Sequence, residues 1–279
     1  DGLKYMFVPG WAVANGVIEE APDFLTVLAT AGGQMFFSLS LGMGAMITYG
    51  SYLQKKENIQ KNALLIVIMD TLVALMAGLC VLPGRFALDP NGALGGPKLL
   101  FITMQNVFDR MDAVGPIFGI IFYLLVVFAA ISSSISLLEV IVAHFVDKAR
   151  DEGKGDKRKA YTLIAAACVG LGCILVCADA LGTTGFAPGN LLGMTGDLPT
   201  WAADWLDFFD MLSEGIMMPL GAMLMSLMIG WEIGPEVIKG EVEQSGHAMG
   251  SYSFFKICVK FITPLCMILI LYGQIKEFF

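Results

Sequence analysis

The chain has 279 residues, of which 56% are hydrophobic and only 15% are charged. The mean hydropathy is +0.72 and the formal net charge is -8. These values lie outside the range of soluble globular domains and indicate a protein that crosses a membrane several times. They exclude a nucleic-acid-binding protein, because the acidic residues are spread over the loops and no long block of like charge exists.

Six apolar runs reach about 18 residues, the length that a membrane-spanning helix requires. We therefore expect an all-α integral membrane fold, treated as a single domain over residues 1–279. The sequence begins Asp-Gly-Leu without an initiator Met or a signal peptide, so we expect earlier helices to be absent from it. The runs cover about 31–53, 62–83, 114–146, 158–181, 208–232 and 254–275.

The orientation is predicted from lysine and arginine, which are retained in short loops on the cytoplasmic side. Two loops carry most of these residues, QKKENIQK at 54–61 and DKARDEGKGDKRK at 147–159. We expect both loops to be cytoplasmic. Residues 1–30 are then predicted to form an extracellular loop.

Asp70 lies in LLIVIMDTLVALM, near the middle of the second run. An aspartate at the centre of a membrane helix costs about 2.5–3.5 kcal/mol on insertion scales, so its presence requires an explanation. The carboxyl group is either neutral or satisfied by a neighbouring helix, or it is a ligand for a cation. We favour the cation ligand, because acidic residues inside membranes usually mark ion paths.

The third run contains FAAISSSISLLEV, in which small and hydroxyl side chains recur at helical spacing. Two interpretations stay open for this face. Serines in membrane helices hydrogen-bond their own backbone or allow close packing, and their hydroxyl oxygens are also suitable ligands for Na⁺. The residues that share the face are Ala129, Ser132, Ser133, Ser136 and Leu137.

The first run is interrupted by SLSLGMG, residues 38–44. Glycine removes the side chain and serine competes for backbone hydrogen bonds, so this segment is predicted to unwind. Irregular backbone at membrane depth occurs only where it is buried or lines a cavity, and discontinuous transporter helices bind substrate and ion in this way. The alternative is a glycine site for close helix packing, which does not account for the serines.

The stretch GQMFFSLSLGMGAMITYGSY resembles the unwound sixth helix of the neurotransmitter:sodium symporter family. The resemblance covers essentially the whole chain and implies a LeuT-like fold of two inverted repeats. This chain would supply the second repeat, helices six to ten, together with helix eleven, while helices one to five would be missing. Residues 88–112 would form the extracellular helical lid of the family.

The resemblance also implies a substrate site and two Na⁺ sites, each completed by the missing first helix. Phe37 would cover an amino acid substrate. Its pocket would be lined by Ser40, Gly42, Met43, Ser133, Ser136 and Leu137. Ser38 and Asp70 would bind the first Na⁺, and the second would be bound by the Ala129 carbonyl with the Ser132 and Ser133 hydroxyls.

Two departures from the family carry further expectations. Many members have Asn where this chain has Asp70, so the carboxylate would replace chloride and transport would be chloride-independent. Met43 stands where some bacterial members have Phe, which implies a flexible wall and large hydrophobic or aromatic substrates. For the gates, the resemblance implies roles for Gln34, Tyr52, Asp147 and Asp207, with Asp210 as a rival to Asp207.

The predicted function is therefore sodium-coupled symport of amino acids across the inner (plasma) membrane by alternating access. An enzyme is not expected, because the sequence lacks paired acids, a metal cluster or a nucleophile with its base. An ion channel or a scaffold subunit would not account for the substrate pocket that Phe37, Ser40 and Met43 would line. The serious alternative is a proton-coupled amino acid permease in which Asp70 titrates. With either mechanism, we expect the chain alone to be a non-transporting fragment.

Overall fold

In the computed structural model of the chain, residues 1–89, 91, 95–155, 157–196, 198–244 and 246–278 are described. Regular secondary structure within these residues is helical, as predicted. Residues before the first long span form short helices, and the first predicted span is divided. The helices in this part are α1 (Gly2–Phe7), α2 (Trp11–Ala14), α3 (Phe24–Ser38), α4 (Ala45–Ser51) and α5 (Ile59–Leu88).

The middle of the chain contains short helical pieces followed by two long spans. The segment predicted as a lid, 88–112, holds short helices, and residues 90 and 92–94 of it lie outside the described residues. The elements are α6 (Gly96–Lys98), a π-helix (Leu99–Thr103), α7 (Met104–Asp109), a 3₁₀ turn (Asp112–Val114), α8 (Gly115–Asp151) and α9 (Arg158–Asp179).

The last part contains two spans that alternate between α and π geometry. We call Trp205–Ile233 the composite helix, which runs through α12 (Trp205–Asp210), a π-helix (Met211–Met217), α13 (Met218–Leu227) and a second π-helix (Met228–Ile233). The short helices before and after it are α10 (Pro188–Leu191), α11 (Thr200–Ala203) and α14 (Pro235–Glu243). The final span consists of α15 (Tyr252–Ile257), a π-helix (Cys258–Ile262) and α16 (Thr263–Phe278).

Among the described residues, five helices are long and apolar enough to cross a membrane. They correspond to the last five predicted runs, whereas the first run is split between α3 and α4. The helix α3 begins at Phe24, earlier than the predicted start near residue 31, because the Asp23 carboxylate accepts a hydrogen bond of 2.9 Å from the Thr26 N–H. That cap fixes where the first half of the broken helix begins.

The chain divides into two compact units, and two of the three boundaries, after Leu64 and after Ile135, fall inside long helices. The first unit is Asp1–Pro22 with Leu65–Ile135, and the second is Asp23–Leu64 with Ser136–Phe279. In the first unit, α1 lies against the end of α5, where a Cβ on Gly2 would come within 2.6 Å of the Pro83 nitrogen. Met104, Val107 and Phe108 of the predicted lid segment form a buried cluster there.

In the second unit, α3 packs along α16. A Cβ on Gly32 would come within 2.6 Å of Ile270 Cδ1, so the glycine permits the close approach of the two helices. The buried Gln274 side chain on α16 donates a hydrogen bond of 2.9 Å to the Ala29 carbonyl. An unpaired amide group in this apolar setting would be costly, so this bond specifies how the two helices pair.

Candidate functional site

The broken helix has the predicted geometry. The helix α3 ends at Ser38 and α4 begins at Ala45, and we call the intervening residues 39–44 the unwound segment. Ser40 has φ 53°, and Gly42 and Gly44 have φ 75° and 83°. Glycine adopts these left-handed values without the steric cost that other residues incur, which explains both glycines.

The unwound segment rests on the composite helix through its backbone. A Cβ on Gly42 would collide with the carbonyl group of Met218, and a Cβ on Gly221 would lie 2.5 Å from the Gly42 oxygen. Gly44 faces α8, because a Cβ there would meet Val140 Cγ1 at 3.7 Å. The segment therefore contacts α13 at Gly42 and α8 at Gly44.

The side chains at the end of α3 divide between core and surface. Phe36 is 3% exposed and belongs to a buried cluster with Met218 and Ile270, whereas Phe37 is 53% exposed. Met43 packs against the same cluster and is half-buried. Of the residues predicted to contact substrate, the structure thus brings Ser40, Gly42 and Met43 together on one short segment, with Phe37 just before it.

The predicted ligands on α5 and α8 belong partly to the other unit. Ser136 and Leu137 are in the same unit as the unwound segment, and Asp70, Ala129, Ser132 and Ser133 are in the unit that contains Leu65–Ile135. Asp70 is half-buried in the middle of α5.

On α8, two of the residues predicted to bind the second Na⁺ are in contact. The Ser132 hydroxyl donates a hydrogen bond of 2.9 Å to the Ala129 carbonyl. This is the local backbone bond considered from the sequence, and it also brings together two of the oxygens predicted for the second Na⁺. The Ser132 hydroxyl oxygen still has lone pairs with which it can coordinate a cation.

A polar cluster that the sequence did not predict joins the end of α4 to α8 and α9. We call Tyr52, Glu139 and Arg158 the Glu139 cluster. The Tyr52 hydroxyl donates to Glu139 Oε1 at 2.6 Å, and Arg158 Nη2 donates to both carboxylate oxygens at 2.7 and 2.6 Å. A carboxylate that accepts three hydrogen bonds from a hydroxyl and a guanidinium nitrogen can form a reversible link between helices.

The other predicted gate residues are placed on separate elements. Gln34 is exposed on α3, and Asp147 is exposed near the end of α8. Asp207 is half-buried in the first turn of α12, where its N–H donates to the Asp204 carboxylate at 2.7 Å. Asp210, its rival, is exposed at the end of α12.

Sequence reasoning missed Arg158 and Gly221 as site residues. Arg158 was counted only as part of a basic loop, and Glu139 carried no distinguishing signal beyond being an acid inside an apolar run. Gly221 lies in an apolar helix, where a glycine does not by itself indicate a contact or a site. Neither partnership is visible without the fold, because each joins residues that are distant in sequence.

Comparison with known proteins identifies relatives over nearly the whole chain. A family model, described as the sodium:neurotransmitter symporter family, matches residues 1–187. An uncharacterized sodium-dependent transporter of Bacillus subtilis is 31% identical, covering 97% of this chain and 54% of that protein. A second, from Haemophilus influenzae, is 30% identical over 96% of this chain and 57% of its own length.

A more distant relative and a solved structure also match this chain. A sodium-dependent nutrient amino acid transporter of Drosophila yakuba is 24% identical over 97% of this chain and 38% of that protein. The crystal structure of MhsT in complex with L-phenylalanine matches with a TM-score of 0.73 and 30% identity, covering 98% of this chain and 56% of that one. The chain therefore spans about half the length of the bacterial relatives that it matches.

Proposed function

The chain belongs to the sodium:neurotransmitter symporter family, and on that basis we propose that it forms the second half of a sodium-coupled symporter of large hydrophobic and aromatic amino acids. It is a multi-pass membrane protein and its relatives are transporters rather than enzymes. The observation that carries the proposal is the unwound segment, which interrupts an apolar helix and presents irregular backbone beside Phe37, Ser40 and Met43. The other half of the transporter is proposed to be five preceding helices.

The amino acid substrate is proposed to bind along the unwound segment. Backbone N–H and carbonyl groups released from helical hydrogen bonding are available to the substrate, as in other discontinuous transporter helices. The exposed Phe37 ring is proposed to cover the substrate, and Ser136 and Leu137 of α8 to face it. The solved relative was crystallised with L-phenylalanine, which supports a large apolar side chain.

Two Na⁺ ions are proposed to move with the substrate. Family membership implies sodium use, and the oxygen groups on this chain suit a hard cation. The first ion is assigned to Ser38 and Asp70, with the substrate carboxylate as a further ligand. The second is assigned to the Ala129 carbonyl and to the hydroxyls of Ser132 and Ser133, of which the Ala129 and Ser132 oxygens are 2.9 Å apart. Both sites are proposed to be completed by the first helix.

The coupling is thermodynamic and involves no covalent step. Because the substrate carboxylate and the first Na⁺ share a coordination shell, each raises the affinity for the other by the same factor. Binding is proposed to favour an outward-facing state that closes and releases both inward, across the inner membrane. The Glu139 cluster is proposed to act at the cytoplasmic gate with Asp147, and Gln34 and Asp207 at the outer gate.

Chloride independence is proposed from Asp70 in the middle of α5, because a carboxylate there would supply the negative charge that chloride provides in other members of the family. Residues 88–112 are proposed to form an extracellular lid over the outer entrance. The buried cluster of Met104, Val107 and Phe108 supports this, because it gives the segment a packed apolar base.

The decisive experiment is uptake of labelled leucine and tryptophan by the full-length protein in liposomes, with Na⁺ replaced by choline at fixed pH. We expect uptake to require Na⁺ and to be unaffected by replacement of chloride with gluconate. Uptake that survives choline would exclude sodium coupling and favour a proton-coupled permease. Liposomes without protein and protein with dissipated gradients are the controls.

A further inference from the structure

The first turn of α13 supports the unwound segment from behind. Building on the proposed function, we propose that Met218–Gly221 is a size-selectivity element, which sets how large a substrate side chain the unwound segment accepts. It acts through Gly42 and Met43 and does not itself touch the substrate.

The contact between the two elements is made by backbone atoms. A Cβ on Gly221 would lie 2.5 Å from the Gly42 oxygen, and a Cβ on Gly42 would collide with the Met218 carbonyl group. A side-chain contact can relax by a change of rotamer, but a contact between two main chains can relax only when one of them moves. Pro219 is fully buried in the same turn and has a fixed φ, and the rest of α13 is held by regular helical hydrogen bonds. The unwound segment is therefore the element that must yield.

The direction in which it yields is set by α8. Gly44 lies next to Val140, one turn along the helix from Ser136 and Leu137, the proposed substrate contacts on α8. On the proposal that the substrate side chain lies between the segment and α8, a displacement of Gly42 and Met43 away from α13 moves them into that space. The space proposed for the substrate side chain becomes smaller.

The first turn of α13 also acts on the side chain of Met43. Its side chain packs against the buried cluster of Phe36, Met218 and Ile270, with Ala222 and Met267 at the edge. Methionine side chains are unbranched and polarizable and adapt to irregular spaces. Met218 therefore determines how far Met43 can retreat when a large side chain enters, while Gly221 determines where the backbone stands.

Two substitutions in the full-length protein move the selectivity in opposite directions. Gly221→Ala pushes the segment forward, and we expect the ratio of kcat/KM for tryptophan to that for leucine to fall about tenfold. Met218→Ala opens space behind Met43 and leaves the main-chain contact intact, so the same ratio should rise. The control is Gly240→Ala on α14, where a Cβ meets nothing within 4 Å and the ratio should stay at the wild-type value.

The outcomes separate this inference from the proposed function. If the wild type transports both amino acids and both α13 variants keep the wild-type ratio, or lose both activities equally, the selectivity role is refuted and the proposed function stands. If Gly221→Ala does not insert into the membrane, Met218→Ala decides alone, since an unchanged or lowered ratio refutes the inference. A wild type that transports neither amino acid refutes both.

Discussion

The unwound segment and the Glu139 cluster hold the broken helix in different ways. The segment is fixed by main-chain contacts of Gly42 and Gly221, which have no side chains to rearrange. The Glu139 cluster consists of side-chain ends, with Arg158 52% and Glu139 22% exposed. Partly exposed ion pairs contribute little and exchange readily with water. A binding segment that must keep its shape and a gate that must open and close therefore use opposite kinds of contact.

Among the substitutions that test this contrast, Gly42→Ala should have the largest effect on transport. The new Cβ would collide with the Met218 carbonyl group, and the left-handed φ of 75° adds steric cost. We expect kcat/KM for any substrate to fall by about a hundredfold, the usual result of misplacing a binding element by about 1 Å. Initial uptake rates in liposomes measure the effect.

The matched control is Gly50→Ala in α4, where a Cβ has nothing within 4 Å. The control should retain wild-type uptake. Full activity in Gly42→Ala would mean that the main-chain contact with α13 does not constrain the segment.

Asp70→Asn tests a carboxylate in a different setting from Glu139. Asp70 is in the middle of a span, so loss of its charge should weaken Na⁺ binding by about tenfold, as expected for a hydrogen bond or ligand contact to a charged group. The half-saturating Na⁺ concentration for uptake, measured with and without chloride, reports this. An unchanged Na⁺ dependence with no chloride effect would remove Asp70 from the first site.

Met43→Phe changes the one adaptable side chain of the unwound segment. Phenylalanine is stiffer, so we expect uptake of tryptophan to fall about fivefold while uptake of leucine changes less, in keeping with the modest discrimination of apolar pockets. Competition between unlabelled amino acids for leucine uptake measures the range. The same substrate profile as the wild type would show that Met43 does not face the substrate.

Glu139→Gln weakens the cluster without removing it. The amide can still accept the hydrogen bond from Tyr52 but loses the ion pair with Arg158. Because the pair is partly exposed, we expect the transport rate to change only about threefold. Glu139→Ala, which removes both contacts, should have the larger effect, and equal effects of the two variants would show that the hydrogen bond from Tyr52 contributes nothing beyond the charge.

The smallest effect is expected at Glu236, in a more exposed cluster in which the Glu236 side chain is 65% exposed. Hydrogen bonds from the Tyr252 hydroxyl at 2.8 Å, from its own backbone N–H and from Lys256 lower the pKa of Glu236 to about 2. A carboxylate with a lowered pKa contributes stability above its ordinary pKa, and this is lost as pH falls through the lowered value. The melting temperatures of wild type and Glu236→Gln should differ slightly near neutral pH and converge near pH 2. Uptake by the variant should equal that of the wild type.

The sequence predicted what depends on local chemistry. The break at SLSLGMG follows from the conformational preferences of glycine and serine, and the spans follow from apolar runs, so both are confirmed. Contacts between distant residues could not be predicted in the same way. Tyr52 and Glu139 are 87 residues apart, and nothing in either neighbourhood indicates the other. Gly221 is recognisable as a contact only once the main chain of Gly42 is known to lie beside it.

The hydrogen bond between Gln274 and the Ala29 carbonyl has a consequence for the order in which the protein is made. The two residues are 245 positions apart, so the acceptor is synthesised long before its donor. The helix α3 has 15 residues, fewer than a span requires, and its apolar neighbour along one face is α16. The first half of the broken helix therefore completes its packing only after α16 has left the ribosome, and a chain stopped before α16 would leave that half without its partner during membrane insertion.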